Sequence, residues 1–207
     1  MKSIKFFGIA FAHRLNAMID TNPMKLRGPW KDGYVLDFHS VKSTPTSDPY
    51  HPFNTERTPM GELLFRLKYG GNIKAVAEIV EAAVDFVTNK WQPPVEIVVP
   101  APPSATRRVQ PVVAIARELA LALDLQVYED AVEKAKTTSQ MKNVVVWERQ
   151  EILHDAIQAG VEKVEGRSLL LVDDLIESGA TLRRTTEVLL SDCGAASVYV
   201  LVLTRTR

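Results

Sequence analysis

"SLLLVDDLIESGATLRRT", residues 168–185, runs from an unbroken apolar stretch into two adjacent carboxylates, then into a loop of small residues that opens a helical pattern. Apolar residues at successive positions mark a strand covered on both faces, the habit of a parallel sheet flanked by helices. Asp173 and Asp174 therefore sit at the carboxyl end of that strand, and the periodicity of Leu182–Leu190 predicts a helix just beyond it. Neighbouring carboxylates repel, and Gly179 at a helix mouth gives up helix propensity. Something should offset both costs.

The loop suggests what. Backbone N–H groups at a helix N-terminus lack partners and hold anions readily. Gly179 allows close approach or a positive φ, and Ser178 and Thr181 add hydroxyl donors. The Gly-Lys-Ser/Thr ending of a P-loop is absent, and no further glycines complete a dinucleotide fingerprint. Carboxylates beside a phosphate cradle make sense if they face another part of the same ligand, either neighbouring sugar hydroxyls or Mg²⁺ through water. A ribose phosphate carries both features. The competing reading is structural: Asp173 caps a turn, Asp174 is solvated, and Ser178 caps the helix. The strand before and the cradle after favour the ligand.

Outward from this stretch the same grammar repeats. "VEIVVP" (95–100) reads as a buried strand, "APPSATRRVQP" (101–111) as a loop, Val112–Leu123 as a helix, and "LQVY" (125–128) as a short strand. "DAVEKAK" (130–136) alternates like a strand and enters the polar segment 137–143; Trp147–Ala156 reads as helical, and "SVYVLVLT" (197–204) as a closing strand. Strands alternating with helices predict an α/β fold with a mainly parallel central sheet and right-handed crossovers. Ligands of such sheets settle outside the carboxyl ends of the strands, where Asp173–Thr181 and Pro100–Arg108 both lie.

The N-terminal part is less legible. Residues 1–32 have no clear assignment. Gly33–Thr44 alternates like a half-exposed strand, "PTSDPYHPFNTERTP" (45–59) reads as a loop, and a helix over Glu62–Lys68 is broken by Tyr69–Asn72. Ile73–Phe86 is an amphipathic helix. One domain over 1–207 is expected, with 1–90 an N-terminal elaboration or hood and 91–207 the ligand-binding core.

Composition excludes several classes. Acidic and basic residues balance at 25 each, so there is no general pull toward nucleic acid or acidic membranes. Neither a helix-turn-helix pattern nor a basic stretch appears, and direct nucleic-acid binding is not expected. Cys193 is the sole cysteine, which excludes an internal disulfide and fits a cytoplasmic protein. The four histidines have no metal-ligand spacing. The apolar run near the N-terminus is interrupted by Lys5 and closed by His13 and Arg14, so neither a signal peptide nor a membrane span is expected.

"LLLVDDLIESGAT" (169–181) resembles the signature of type I phosphoribosyltransferases: a hydrophobic strand, two acids, two apolar residues and a small-residue loop ending in Gly-x-Thr. The resemblance extends to the competence-associated ComF-like branch through "LLFRLKYGG" (63–71), "VVPAPPS" (98–104), "KTTSQMKN" (136–143) and "VYVLVLTRTR" (198–207), covering about residues 60–207. The chain lacks the cysteines of the zinc ribbon that many ComF-like proteins carry. It also has Thr137-Thr138-Ser139-Gln140 where Thr-Pro-Gln or Thr-Pro-Pro-Gln often stands.

The resemblance implies a type I phosphoribosyltransferase fold, the substrate 5-phosphoribosyl-1-pyrophosphate (PRPP), Mg²⁺ as cofactor, and a small-molecule acceptor in nucleotide metabolism. Asp173 and Asp174 would hold the ribose hydroxyls and reach the metal indirectly, through water or substrate. Glu177, Ser178, Gly179, Ala180 and Thr181 would hold the 5′-phosphate. Ala101, Pro102, Ser104, Arg107, Arg108 and Lys136 would receive the pyrophosphate; the charge of that leaving group independently calls for fixed cations such as the Arg pair. A cover over the reacting carbon is expected from "EKAKTTSQMKN" (133–143), which could bring Lys134, Lys136 or Lys142 to the pyrophosphate. Catalytic roles fall to Glu177, Lys142 and Arg107, although Glu177 could equally be a charge favoured near a helix N-terminus. The alternative is a non-catalytic PRPP-binding regulator or a DNA-uptake-related ComF-like protein. A homodimer is compatible with the sequence.

Overall fold

The computed structural model describes residues 19–49, 52–103, 110–134 and 157–207. In chain order the elements begin with β1 (Met24–Lys25), β2 (Asp32–Phe38), β3 (Ser40–Pro45) and β4 (Phe53–Arg57). Helix α1 (Pro59–Gly70), helix α2 (Lys74–Asp85), strand β5 (Ile97–Pro100), helix α3 (Pro111–Ala122) and strand β6 (Gln126–Val127) follow. The described chain closes with β7 (Val132–Lys134), β8 (Ile157–Ala159), β9 (Ser168–Ile176), α4 (Ala180–Ser191) and β10 (Ser197–Arg205).

The central sheet has the order β1-β2-β10-β9-β5-β6, parallel throughout except for β1. Its register fixes the site. β10 runs beside β9 from Ser197↔Ser168 to Arg205↔Ile176, beside β2 up to Arg205↔Phe38, while β5 ends at Pro100↔Val172. The carboxyl ends of β2, β5, β9 and β10 thus meet along one edge.

Alternation along the strands builds two cores. Ile97, Val99, Leu169, Leu171, Val198, Val200 and Val202 pack on the α4 side. Val98, Leu170, Val172, Tyr199, Leu201 and Leu203 pack on the side of α1, α2 and α3. Both faces exclude water, which is why these strands read as continuous apolar runs. Leu171 is fully buried, and truncating it to Ala would cost roughly 2–5 kcal/mol.

The α/β expectation holds, and so do the helices at 73–86 and 112–123, within a few residues. α2 runs on into a π-helical turn, Phe86–Trp91, whose Trp91 ring lies edge-on to Tyr34 and Tyr199. Three local expectations need correction. The single strand over 33–44 is two strands, because the chain leaves β10 after Phe38 and β3 pairs with β4 in a separate hairpin. The loop expected over 45–59 contains β4, which is largely exposed on both faces and so carries no buried alternation to read. Residues 24–25 form a strand in the unassigned N-terminal part. The helix expected at 147–156 lies outside the described residues.

Candidate functional site

β9 stays extended through Asp173 and Asp174, so the two acids point to opposite faces of the sheet. Asp174 follows Leu170 and Val172 toward the α1 side, and Asp173 follows Leu169 and Leu171 toward the α4 side. Asp174 meets a cation there: Lys68, in the last turn of α1, places Nζ 3.0 Å from Oδ1, with the two side chains only 15% and 18% exposed. Behind the pair, the Thr204 hydroxyl donates to the Asp174 carbonyl at 3.0 Å, and His39 Nδ1 lies 3.2 Å from that hydroxyl. A carbonyl only accepts, so the hydroxyl proton goes to it and His39 Nδ1–H donates to Thr204. Burial, then the Lys68 and Arg57 cations, hold the His39 imidazole below its ordinary pKa, with Asp174 opposing.

Asp173 makes no ion pair among the described residues, although the Lys68 charge reaches it at longer range. Its Oδ1 accepts the Asp174 N–H at 2.8 Å. Burial first, and the neighbouring Asp174 charge second, push its carboxyl up to about 7. The two acids of the signature are therefore unequal: one is paired, and the other is poised near neutrality.

On the α4 side, residues 177–179 link β9 to the start of α4. Gly179 takes φ +78° as the residue before α4, a conformation that L side chains rarely adopt, and a Cβ there would lie 3.2 Å from Ile176 Cδ1. The Ala180 N–H donates to Ser178 Oγ at 3.3 Å, and Glu177, Ser178 and Ala180 are exposed, so the first turn of α4 opens to solvent. Thr181 is half-buried in that turn. The Ala101 N–H donates to the Val172 carbonyl at 2.8 Å, which starts the loop after β5 next to Asp173. Ala101 and Pro102 are buried there. Ser104, Arg107, Arg108, Lys136 and Lys142 lie outside the described residues. The antiparallel β7–β8 ladder, ending at Lys134↔Ile157, brackets residues 135–156 and packs on the α4 side.

What places Lys68 is the start of its helix. The Thr58 hydroxyl donates to the Phe38 carbonyl at 2.6 Å and accepts the Gly61 N–H at 3.0 Å, tying α1 to the carboxyl end of β2. A Cβ on Gly61 would fall 1.9 Å from the His39 carbonyl oxygen, so the first turn can pack this closely only with glycine. Lys68, His39 and Thr204 were not assigned a role by the sequence. One signal was there: Lys68 stands four residues after the buried Leu64, so a cation occupies the apolar stripe of α1.

A phosphoribosyl transferase domain matches residues 72–207, about two thirds of the chain. The chain belongs to the phosphoribosyl transferase family. It is thereby a transferase of PRPP-dependent phosphoribosyl transfer, with the mixed α/β, mainly parallel sheet of the type I fold. Adenine phosphoribosyltransferase from Thermoanaerobacter pseudethanolicus is 15% identical with a TM-score of 0.46, covering 80% of this chain and 84% of that one. Orotate phosphoribosyltransferase from Aeropyrum pernix gives 16%, 0.46, 81% and 76%. Glutamine PRPP amidotransferase from B. subtilis gives 16%, 0.47, 73% and 34%. These are loose superpositions, and the assignment rests on the family match. No curated protein matches the chain.

For a phosphoribosyltransferase the donor set suits Mg²⁺. Asp173 and Asp174 offer hard oxygen ligands, and Mg²⁺ keeps waters and substrate phosphates in the rest of its shell. No group of three or more His, Cys, Asp or Glu suited to a metal occurs among the described residues. A separate open groove of about 500 Å³, lined by Lys25, Arg27, Trp30, Lys31, Asp32 and Tyr199, lies at the amino ends of β2 and β10. It is on the opposite edge of the sheet from the acids and belongs to no part of this site. No helix among the described residues is long and apolar enough to cross a membrane.

Proposed function

We propose that the protein binds PRPP with Mg²⁺ at the carboxyl edge of β9 and transfers its phosphoribosyl group to a nitrogenous base, releasing pyrophosphate. The observation that carries this reading is the acid pair of one strand followed directly by the positive-φ cradle of α4, the two needs of a ribose phosphate met a few residues apart. Asp173 and Asp174 accept the ribose hydroxyls. Ser178, Gly179, Ala180 and Thr181 surround the 5′-phosphate, held by N–H groups at the start of α4. Ala101, Pro102, Ser104, Arg107, Arg108 and Lys136 receive the pyrophosphate, and Lys142 closes over it. Asp173 and Asp174 would reach Mg²⁺ through water or substrate, and the ion would supply charge neutralisation to the pyrophosphate.

In the reaction the acceptor nitrogen donates its lone pair to the anomeric carbon as the carbon–oxygen bond to pyrophosphate breaks. Pyrophosphate leaves with that electron pair, and the acceptor nitrogen sheds a proton. Glu177, exposed on the rim of the cradle, takes it. The remaining residues position and shield a transition state of oxocarbenium character. We place residues 1–90 as the hood of a single domain, 91–207 as its PRPP-binding core, and the whole chain in the ComF-like branch, working in the cytoplasm where PRPP is made.

Incubation with PRPP, Mg²⁺ and a panel of nucleobases and amines, with pyrophosphate release as the readout, decides between enzyme and sensor. Release dependent on one class of base supports transfer. Saturable PRPP binding without release under any acceptor supports a PRPP-sensing regulator instead.

A further inference from the structure

We infer that Lys68 is a positioning residue for phosphoribosyl transfer: from α1 it holds Asp174 in place and makes ribose binding depend on how that helix is seated. The inference rests on PRPP as the ligand of the acid pair. Its own evidence is the geometry. Lys68 Nζ and Asp174 Oδ1 are 3.0 Å apart, and both side chains are largely shielded. Among the described residues, Lys68 is the one cation in ion-pair range of Asp174. Arg57 is engaged elsewhere, stacked 3.7 Å over the Phe65 ring with Nη1 3.8 Å from Glu62, and His39 is committed to Thr204.

A half-buried ion pair is weak evidence for stability, because desolvation offsets its attraction. Its value lies in direction. Asp173 makes no ion pair among the described residues: its carboxylate is steered by a backbone N–H and feels the Lys68 charge only as a smaller, longer-range influence. Asp174 is steered by an ammonium carried on a different element. The Thr58 bond to Phe38 and the absence of a side chain at Gly61 set the depth of α1 against β2, and ten residues later the same helix delivers Lys68. Lys68 thus ties the hood helix to the ribose site, on top of the apolar packing of α1 against the sheet, so a displacement of α1 loosens the second acid.

The test compares Lys68→Met, Lys68→Arg and the double variant Lys68→Met/Asp174→Asn with wild type. PRPP binding with Mg²⁺ is read by calorimetry, and steady-state turnover uses the acceptor found above. Lys68→Met should weaken PRPP by roughly 10- to 100-fold, raise KM much more than it lowers kcat, and be largely rescued by Arg. The double variant removes the orphaned carboxylate; it should melt as cooperatively as wild type yet bind PRPP no better than Lys68→Met. Equal PRPP affinity in wild type and Lys68→Met overturns this inference alone. Equal losses in Lys68→Met and Lys68→Arg also overturn it. Wild type that ignores PRPP overturns the substrate reading and this inference with it.

Discussion

Lys68 and Asp174 form a shielded ion pair at 3.0 Å, joining the last turn of α1 to the second of the two adjacent acids near the end of β9. The pair divides the acids. Asp174 has a cation and a supported backbone carbonyl, whereas Asp173 is crowded by burial and by its neighbour. A signature that looks symmetric as two consecutive aspartates is asymmetric in three dimensions.

That asymmetry has a pH signature. The Asp173 carboxyl rises from 3.8 unfolded to about 7 folded, so its contribution to stability is fully present below pH 3.8 and is lost as pH rises to about 7. Asp173→Asn escapes that loss. Its stability relative to wild type should be near zero at pH 4, grow through pH 5.5, and level off above pH 7. Partial exposure keeps the plateau on the order of 1–2 kcal/mol, or roughly 2–8 °C in Tm for a chain of this size. Urea melts at these pH values measure it. A difference that does not change with pH would show that Asp173 is not the strained group.

Gly61→Ala tests the seat of α1. Its Cβ would collide with the His39 carbonyl at 1.9 Å, and backbone cannot swing aside as a side chain can. The variant should lose roughly 1–3 kcal/mol, and PRPP affinity should fall although residue 61 touches no ligand. Wild-type stability together with wild-type affinity would mean that α1 is free to shift without disturbing the site.

Gly179→Ala tests the cradle. The φ of +78° costs an L residue about 1–2 kcal/mol. The strain falls on the loop that meets the 5′-phosphate, so PRPP and ribose 5-phosphate should both bind more weakly, by a similar factor. A loss confined to PRPP would place residue 179 against the pyrophosphate instead.

The fold and one half of the site were legible because both follow from local pattern. Residues 168–181 carry their strand, acids and cradle in consecutive positions, and the double-sided burial of β9 and β10 shows as unbroken apolar runs. The other half was not. Lys68, His39 and Thr204 come from three distant elements and converge only because β2, β9 and β10 align their carboxyl ends. The hairpin β3–β4 was missed for a related reason: its strands are mostly exposed, so no core imposes an alternation on them. Asp173 and Asp174 look equivalent as consecutive letters, and only the fold shows that Asp174 meets the ammonium of Lys68 while Asp173 accepts a backbone N–H.

The most direct measurement is the melting temperature with and without PRPP and Mg²⁺, in wild type and in Asp173→Asn/Asp174→Asn. At a hundredfold excess over Kd, bound ligand stabilises the folded state by about 2.7 kcal/mol, a rise of roughly 5–11 °C for a chain of this size. The account predicts that rise in wild type and its loss in a double variant that still unfolds cooperatively. An equal rise in both proteins would contradict it, because the ligand would then be held somewhere other than the tip of β9.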